Sequence, residues 1–285
     1  MTMILRGLIV LLALLMLPVT AGAASKVAKD SAPPGKTRKP DGMPQEVRTF
    51  ILGNVLFTLY HELGHALIHE LQLPVLGREE DAVDNLASLL MVPEAGDREM
   101  ADRVLAAAQG WLMSATNTDE DEELAFWDEH GLDMQRFYSV VCVLYGADPD
   151  RFGDFADEAD LPDYRREACG QEYEQISTSW AKLLEPHMIA DGDKRRSRVR
   201  VVHETPAPEY RKLSALLRES RLMETVAEDV RTGFVLPHEL TIRAAACDEA
   251  NAYFDPEDLS VTLCYELLEE FEAQITADLE EADDE

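Results

Sequence analysis

Apolar residues at Leu52, Val55, Leu56, Leu59, Leu63 and Leu67 recur at three- and four-residue spacing, which predicts an amphipathic helix over residues 49–71. Pro74 and Gly77 break it. A second helix opens at Arg78 with Glu79, Glu80 and Asp81 in its first turn, where the macrodipole favours negative charge, and Leu86, Leu89 and Leu90 form its packing side. Met100, Val104, Leu105, Ala108 and Leu112 predict a helix over residues 98–116, and residues 119–123 read as an acidic link or helix start. Phe137, Val140, Val141 and Leu144 mark a buried helix over residues 132–145, ended by Gly146-Ala147-Asp148-Pro149; a further helix over residues 172–184 places Trp180 in the core. Past residue 198 the period changes. Residues 199–202 read as a strand, 210–232 as a helix, 241–245 and 260–264 as two strands around an Asp255-Pro256 turn, and 267–279 as a closing helix. The fold class is therefore α+β, mostly helical, with a small C-terminal β-sheet that packs on the first helix.

Arg6 followed by an apolar run to Val19 and the small residues Ala21-Gly22-Ala23 reads as a signal peptide over residues 1–23. Its retention as an anchor is the alternative. Residues 24–43 are a flexible linker rich in Lys, Pro, Gly and Ser, 44–190 a helical half, 191–198 a polar linker, 199–275 a sheet-containing half and 276–285 an acidic tail. No run elsewhere is long enough to span a membrane, so no stable span is expected after signal removal. The four cysteines suit an exported, periplasmic or extracellular protein with two disulfides, and their placement predicts pairing within each half, Cys142 with Cys169 and Cys247 with Cys264. Against 56 Asp and Glu there are only 26 Lys and Arg. That leaves no basic surface to displace phosphate counterions and excludes nucleic acid as a partner.

His61-Glu62-Leu63-Gly64-His65 carries the chemistry. Residues four apart share a helix face, so His61 and His65 can present two imidazoles to one Zn2+ ion. Glu62, turned about 100° away, falls beside the metal as general base for a water that zinc acidifies. Glu80 and Asp84 share a face of the second helix. Glu80 is assigned as the third metal ligand and Asp84 as the acceptor that orients a histidine ring, while Glu79 and Asp81 face solvent. His69 lies about 12 Å along the axis from His61, too far to share the ion, and reads as a rim or packing histidine. His130, Tyr145, His203, Tyr253 and Tyr265 are candidates to stabilise an oxyanion.

The segment from Asn54 to Ile68, followed by Leu73 to Asp84, resembles a bacterial metallopeptidase family catalogued as a domain of unknown function. The resemblance extends through Phe126-Trp127-Asp128-Glu129-His130, Leu144 to Pro149, Cys247 to Pro256 and Leu263-Cys264-Tyr265-Glu266-Leu267. It implies a gluzincin-like zincin fold in which a peptide or protein substrate adds to the open edge of a sheet beside the HExxH helix. In that family the sheet region precedes the helix; here Asn251-Ala252-Tyr253-Phe254 follows it, as if the two halves were permuted. The leading expectation is an exported zinc metalloendopeptidase. The alternative is a non-catalytic zinc-binding envelope interaction protein, for which Glu62 would have no use.

Overall fold

The computed structural model describes residues 42–117, 124–190 and 192–284. The expected leader, the expected linker as far as residue 41 and the acidic run 119–123 lie outside the described residues. In chain order the elements are helices α1 (Gln45–Leu71), α2 (Glu79–Leu90), α3 (Arg98–Thr116), α4 (Asp133–Ala147), α5 (Pro149–Glu158) and α6 (Asp163–Leu184), then strand β1 (Val199–His203). Helices α7 (Arg211–Ser220) and α8 (Leu222–Gly233) follow, then strands β2 (Leu240–Ala245), β3 (Ala252–Asp255) and β4 (Ser260–Cys264), and helix α9 (Tyr265–Asp284).

Helix α1 is central rather than a one-faced surface helix. Its buried residues fall on every side, from Phe50, Val55 and Leu59 to His61, Glu62 and Leu67, because α2, α3, α9 and the β3–β4 hairpin all pack against it. Two of these contacts depend on glycine. A Cβ at Gly64 would meet Val83 Cγ1 of α2 at 2.7 Å, and one at Gly53 would run into the carbonyl oxygen of Arg103 in α3. Asn54, buried between α1 and α3, donates to the carbonyls of Phe50 and Ala106 at 2.9 and 3.1 Å. A buried amide is tolerated there because it is hydrogen-bonded.

The sheet has the order β1-β2-β4-β3. β1, β2 and β4 run parallel, and β4 is buried along its whole length, as expected of a strand covered on both faces. β3 is the antiparallel edge, with Phe254 opposite Val261. The predicted pairing of 241–245 with 260–264 around Asp255-Pro256 is corrected in one respect. Those strands are parallel neighbours, and the hairpin partner of β4 is β3. The expected packing of the sheet on the first helix is observed through β3 and β4.

Other departures have local causes. Residues 210–232 form two helices because Arg221 adopts a left-handed conformation (φ 57°), beside a Ser220 hydroxyl bound to Leu217 O. Asp148-Pro149 ends α4 but also starts α5: the Asp148 carboxylate accepts the Arg151 N–H at 3.1 Å, and proline tolerates the first helical position. Helix α9 continues to Asp284, so the expected acidic tail is helical over that length.

Both disulfides join the predicted partners, Cys142–Cys169 between α4 and α6 and Cys247–Cys264 at the start of the hairpin. No helix among the described residues is long and apolar enough to cross a membrane.

Two predictions follow from the packing. The Cys247–Cys264 bridge spans 17 residues, so Cys247→Ser/Cys264→Ser should lose roughly 3 kcal/mol of unfolding free energy in denaturant titrations, with the loss absent under reducing conditions. The second concerns Asp229 of α8, which lies 3.5 Å from the buried Tyr60 hydroxyl. Burial pushes its carboxyl up to about 6, the Tyr60 hydrogen bond opposes this, and the Glu228 charge adds to it. Between about pH 4 and 6 the folded chain then keeps a proton that the unfolded chain releases, so stability falls as pH rises and stays lower above 6. Asp229→Asn should remove that decline and stabilise the protein at pH 7 by roughly 1–2 kcal/mol after allowance for solvent screening. Equal slopes of melting temperature against pH in the two proteins would contradict it.

Candidate metal centre

Three elements build the site. α1 supplies His61, Glu62 and His65; α2, held close by the Gly64–Val83 contact, supplies Glu79, Glu80 and Asp84; the segment before α4 supplies His130. Glu80 Oε2 lies 3.1 Å from His61 Nε2 and 3.2 Å from His65 Nε2, and the two Nε2 atoms are 3.3 Å apart. Donor atoms on a tetrahedron with bonds of about 2.0 Å are separated by about 3.3 Å. These residues therefore fit a tetrahedral metal ion.

Each imidazole is fixed from behind. Asp84 Oδ1 accepts from His61 Nδ1 at 2.7 Å, and Glu79 Oε1 accepts from His65 Nδ1 at 2.8 Å. A carboxylate can only accept, so these bonds put the ring proton on Nδ1 and leave the Nε2 lone pairs facing one point. Asp84 also takes two hydrogen bonds from Arg136, both at 2.7 Å, and the guanidinium lies 3.6 Å over the Trp111 ring. Sequence reasoning placed Asp84 behind a histidine but put Glu79 in solvent. Glu79 is indeed exposed, but its carboxylate also reaches His65, because the first turn of α2 faces α1 at that residue. Asp81 is half-exposed and pairs with Arg78. Arg136 had no signal in the sequence.

The donor set attracts positive charge. Burial would lower the pKa of His65, but hydrogen bonds to Glu80 and Glu79 outweigh it and raise it to about 9. Burial also works against ionised Glu80, yet hydrogen bonds from His130, His61 and His65 hold it well below the carboxylate range. A dication would supply this charge while leaving the imidazoles neutral. Glu62 is different: burial pushes its carboxyl up, only partly offset by His61 and His65. It stands beside the cluster, 4.0 Å from His61 Nε2, and accepts the backbone N–H of Phe254.

His130 is the one oxyanion candidate that reaches the cluster. Its Nε2 is 3.0 Å from Glu80 Oε2, its Nδ1 is 3.1 Å from Asp128, and its ring stacks on His61 at 6.1 Å. Its donor atom lies within 4.8 Å of those of His61 and Glu80, so these three form an alternative ligand group. Tyr253 lines the cleft. Tyr145 stands near Arg166, His203 pairs with Glu224, and Tyr265 is buried with its hydroxyl donating to Glu204 O; all three belong to structure elsewhere. His69 sits on the rim against Phe254, with rings 5.6 Å apart.

The cleft, about 710 Å³, runs between the cluster and β3 and is lined by His61, Glu62, His65, His130, Asn251 and Phe254 among others. Cys264 N–H donates to Asn251 O at 3.0 Å, so residues 251, 253 and 255 face β4 in the ladder. Ala252 and Phe254 accordingly turn their backbone groups to the open edge. The Asn251 side chain takes the Ala252 N–H at 2.8 Å, while the Ala252 and Phe254 carbonyls face the cleft side.

No curated protein and no solved structure matches the chain. A family model described as "putative metallopeptidase" matches residues 23–184 and 202–285, which include every residue of the cluster and the whole of β3. The chain belongs to that metallopeptidase family.

Proposed function

We propose that the protein is an exported zinc-dependent metalloendopeptidase. The observation that carries this reading is the tetrahedral spacing of His61 Nε2, His65 Nε2 and Glu80 Oε2, with a second carboxylate, Glu62, beside them but outside the triangle. A structural metal site is closed and needs no such base. His61, His65 and Glu80 would hold Zn2+, which when bound supplies the charge that polarises a scissile carbonyl and acidifies a water.

The chain's own groups perform the rest. The β3 edge binds an extended peptide as an added strand through the Ala252 and Phe254 carbonyls, placing one peptide group beside Glu62. Burial keeps the Glu62 carboxylate basic enough to take a proton from water, and it passes that proton to the leaving amine. The Phe254 N–H fixes the direction of that carboxylate. His130, oriented by Asp128, donates to the oxygen that gains charge as the carbonyl carbon becomes tetrahedral. The paired cysteines and the leader-like residues 1–23 support export to the periplasm or the medium. In this reading the metal helices come first and the edge strand last, a permuted order of the family's halves.

His65→Ala or Glu80→Ala should lose zinc, measured by elemental analysis of the purified chain, whereas Glu62→Ala should keep stoichiometric zinc and lose cleavage of a peptide library. Full zinc content in a His61→Ala/His65→Ala double variant would remove the site assignment. Zinc bound by the wild-type chain with no cleavage of any peptide would favour the non-catalytic reading.

Asp84→Asn should weaken zinc about 10–100-fold in a chelator competition, because it also leaves Arg136 without its partner. Glu79→Gln, at a half-exposed position, should have the smaller effect. The reverse ranking would contradict the tautomer assignment of His61.

A further inference from the structure

Three residues of the segment that leads into His130, namely Phe126, Trp127 and Glu129, are not used by the mechanism above. Phe126 and Trp127 are 76% and 75% exposed and adjacent, so they present neighbouring aromatic rings to water. They are followed directly by Asp128, which orients His130, and by Glu129, which is exposed and lines the cleft. The loop is fixed relative to the site. His130 N–H donates to Asp128 at 2.8 Å, and Arg78 donates to His130 O at 3.1 Å while pairing with Asp81 at 3.0 Å. Arg78 is thus already engaged, and no Lys or Arg lines the cleft among the described residues.

We propose that the loop Phe126–Glu129 selects a basic side chain, Lys or Arg, on the peptide that lies along β3. This rests on the peptidase reading and names its substrate class. The chemistry is specific to a cation. An aromatic face attracts an ammonium or guanidinium group through its quadrupole, and an adjacent carboxylate adds a charge partner that a neutral side chain cannot use. Glu62, Glu79 and Glu80 are committed to the imidazole cluster, so Glu129 is the cleft carboxylate with no such commitment. The net charge of −30 acts in the same direction, drawing cationic segments toward the surface. It also disfavours the other surface that exposed aromatic rings suit, an anionic bilayer.

The test uses the full chain carrying Glu62→Gln, loaded with Zn2+, and extended nine-residue peptides that differ at one position. Lys, norleucine or Glu is placed in turn at each site flanking the centre, and Kd is read by fluorescence anisotropy at low and high salt. At one flanking position the Lys peptide should bind about tenfold more tightly than the norleucine peptide, the scale of one partly desolvated cation–π contact. Glu129→Gln and Trp127→Ala, added singly, should each remove most of that preference without changing zinc content. Equal binding of Lys and norleucine peptides at every position overturns the proposal. So does a Lys preference that survives both substitutions, which would belong to the field of the whole chain. Binding to phosphatidylcholine vesicles that Trp127→Ala abolishes, with peptide affinities unchanged, would assign the rings to a membrane surface instead. The underlying reading is judged separately. Cleavage of an unbiased peptide library by the wild-type chain, abolished by Glu62→Gln, upholds the peptidase even where the basic preference fails; no cleavage and no peptide binding removes both.

Discussion

The distance between α1 and α2 at Gly64 is the constraint on which the site depends. With any side chain there, Val83 would have to move away, since a Cβ would already stand 2.7 Å from its Cγ1. Val83 lies within one helical turn of Glu79, Glu80 and Asp84, so a displaced α2 would carry all three carboxylates off the imidazoles. The tolerance is small. Hydrogen bonds of 2.7–2.8 Å from the two Nδ1 atoms lengthen out of useful range with a shift of well under 1 Å. A glycine inside a helix is destabilising by roughly 0.5–1 kcal/mol relative to alanine; close approach of the two helices is what that residue provides.

Close approach brings like charges together, and the structure disperses them. Asp84 is buried, and an unpaired buried carboxylate would cost several kcal/mol. His61 holds it on one side and Arg136 grips it with two hydrogen bonds on the other. Arg136 is packed in turn over Trp111, and Trp111 meets Phe57 edge-on at 5.8 Å. The path therefore begins on α1 at His61 and returns to α1 one turn earlier, through α2, α4 and α3. Disturbing any member transmits to the orientation of one imidazole. The other side of the cleft has its own support. Glu266 accepts the N–H groups of Cys247 and Asp248 at 3.0 Å, and the Cys247–Cys264 bridge ties the same point to β4, which fixes where β3 begins. Neither half of the chain contains both walls of the cleft.

Features that depend on local spacing were legible in the sequence. HELGH on a strongly apolar helix, a carboxylate pair four residues apart after a Pro/Gly break, and two cysteines in each half are all short-range patterns, and the structure places the residues of each pattern next to one another. What was not legible depends on tertiary placement. The role of Glu79 depends on which end of α1 its turn meets. Arg136 lies more than fifty residues from its partner, and an arginine early in a helix looks like any surface charge. The β3 strand, Ala252-Tyr253-Phe254-Asp255, has no alternation to mark it and is placed in the sheet region only by the family resemblance; its antiparallel direction is set by the turn and by β4 rather than by its composition. The helix α5 was hidden because Asp148-Pro149 is equally a stop for one helix and a cap for the next.

The two glutamates at the centre show how one fold assigns opposite tasks to one residue type. Glu80 is surrounded by three imidazole nitrogens, at 3.0, 3.1 and 3.2 Å from one oxygen, and that environment favours the ionised form strongly enough to outweigh its partial burial. Such a carboxylate is a good ligand and a poor base. Glu62 is more deeply buried, receives a single backbone N–H, and has its nearest imidazole nitrogen at 4.0 Å, so burial dominates and its proton affinity rises. Carboxylates whose environments push them apart in this way are the usual basis for dividing binding from proton transfer. The division is made by position on the helices. Glu62 is one residue past His61 and so rotates toward β3, whereas Glu80 faces α1 from across the Gly64 contact. Exchanging the two roles would require turning α1 by about 100°, which packing on all its sides forbids.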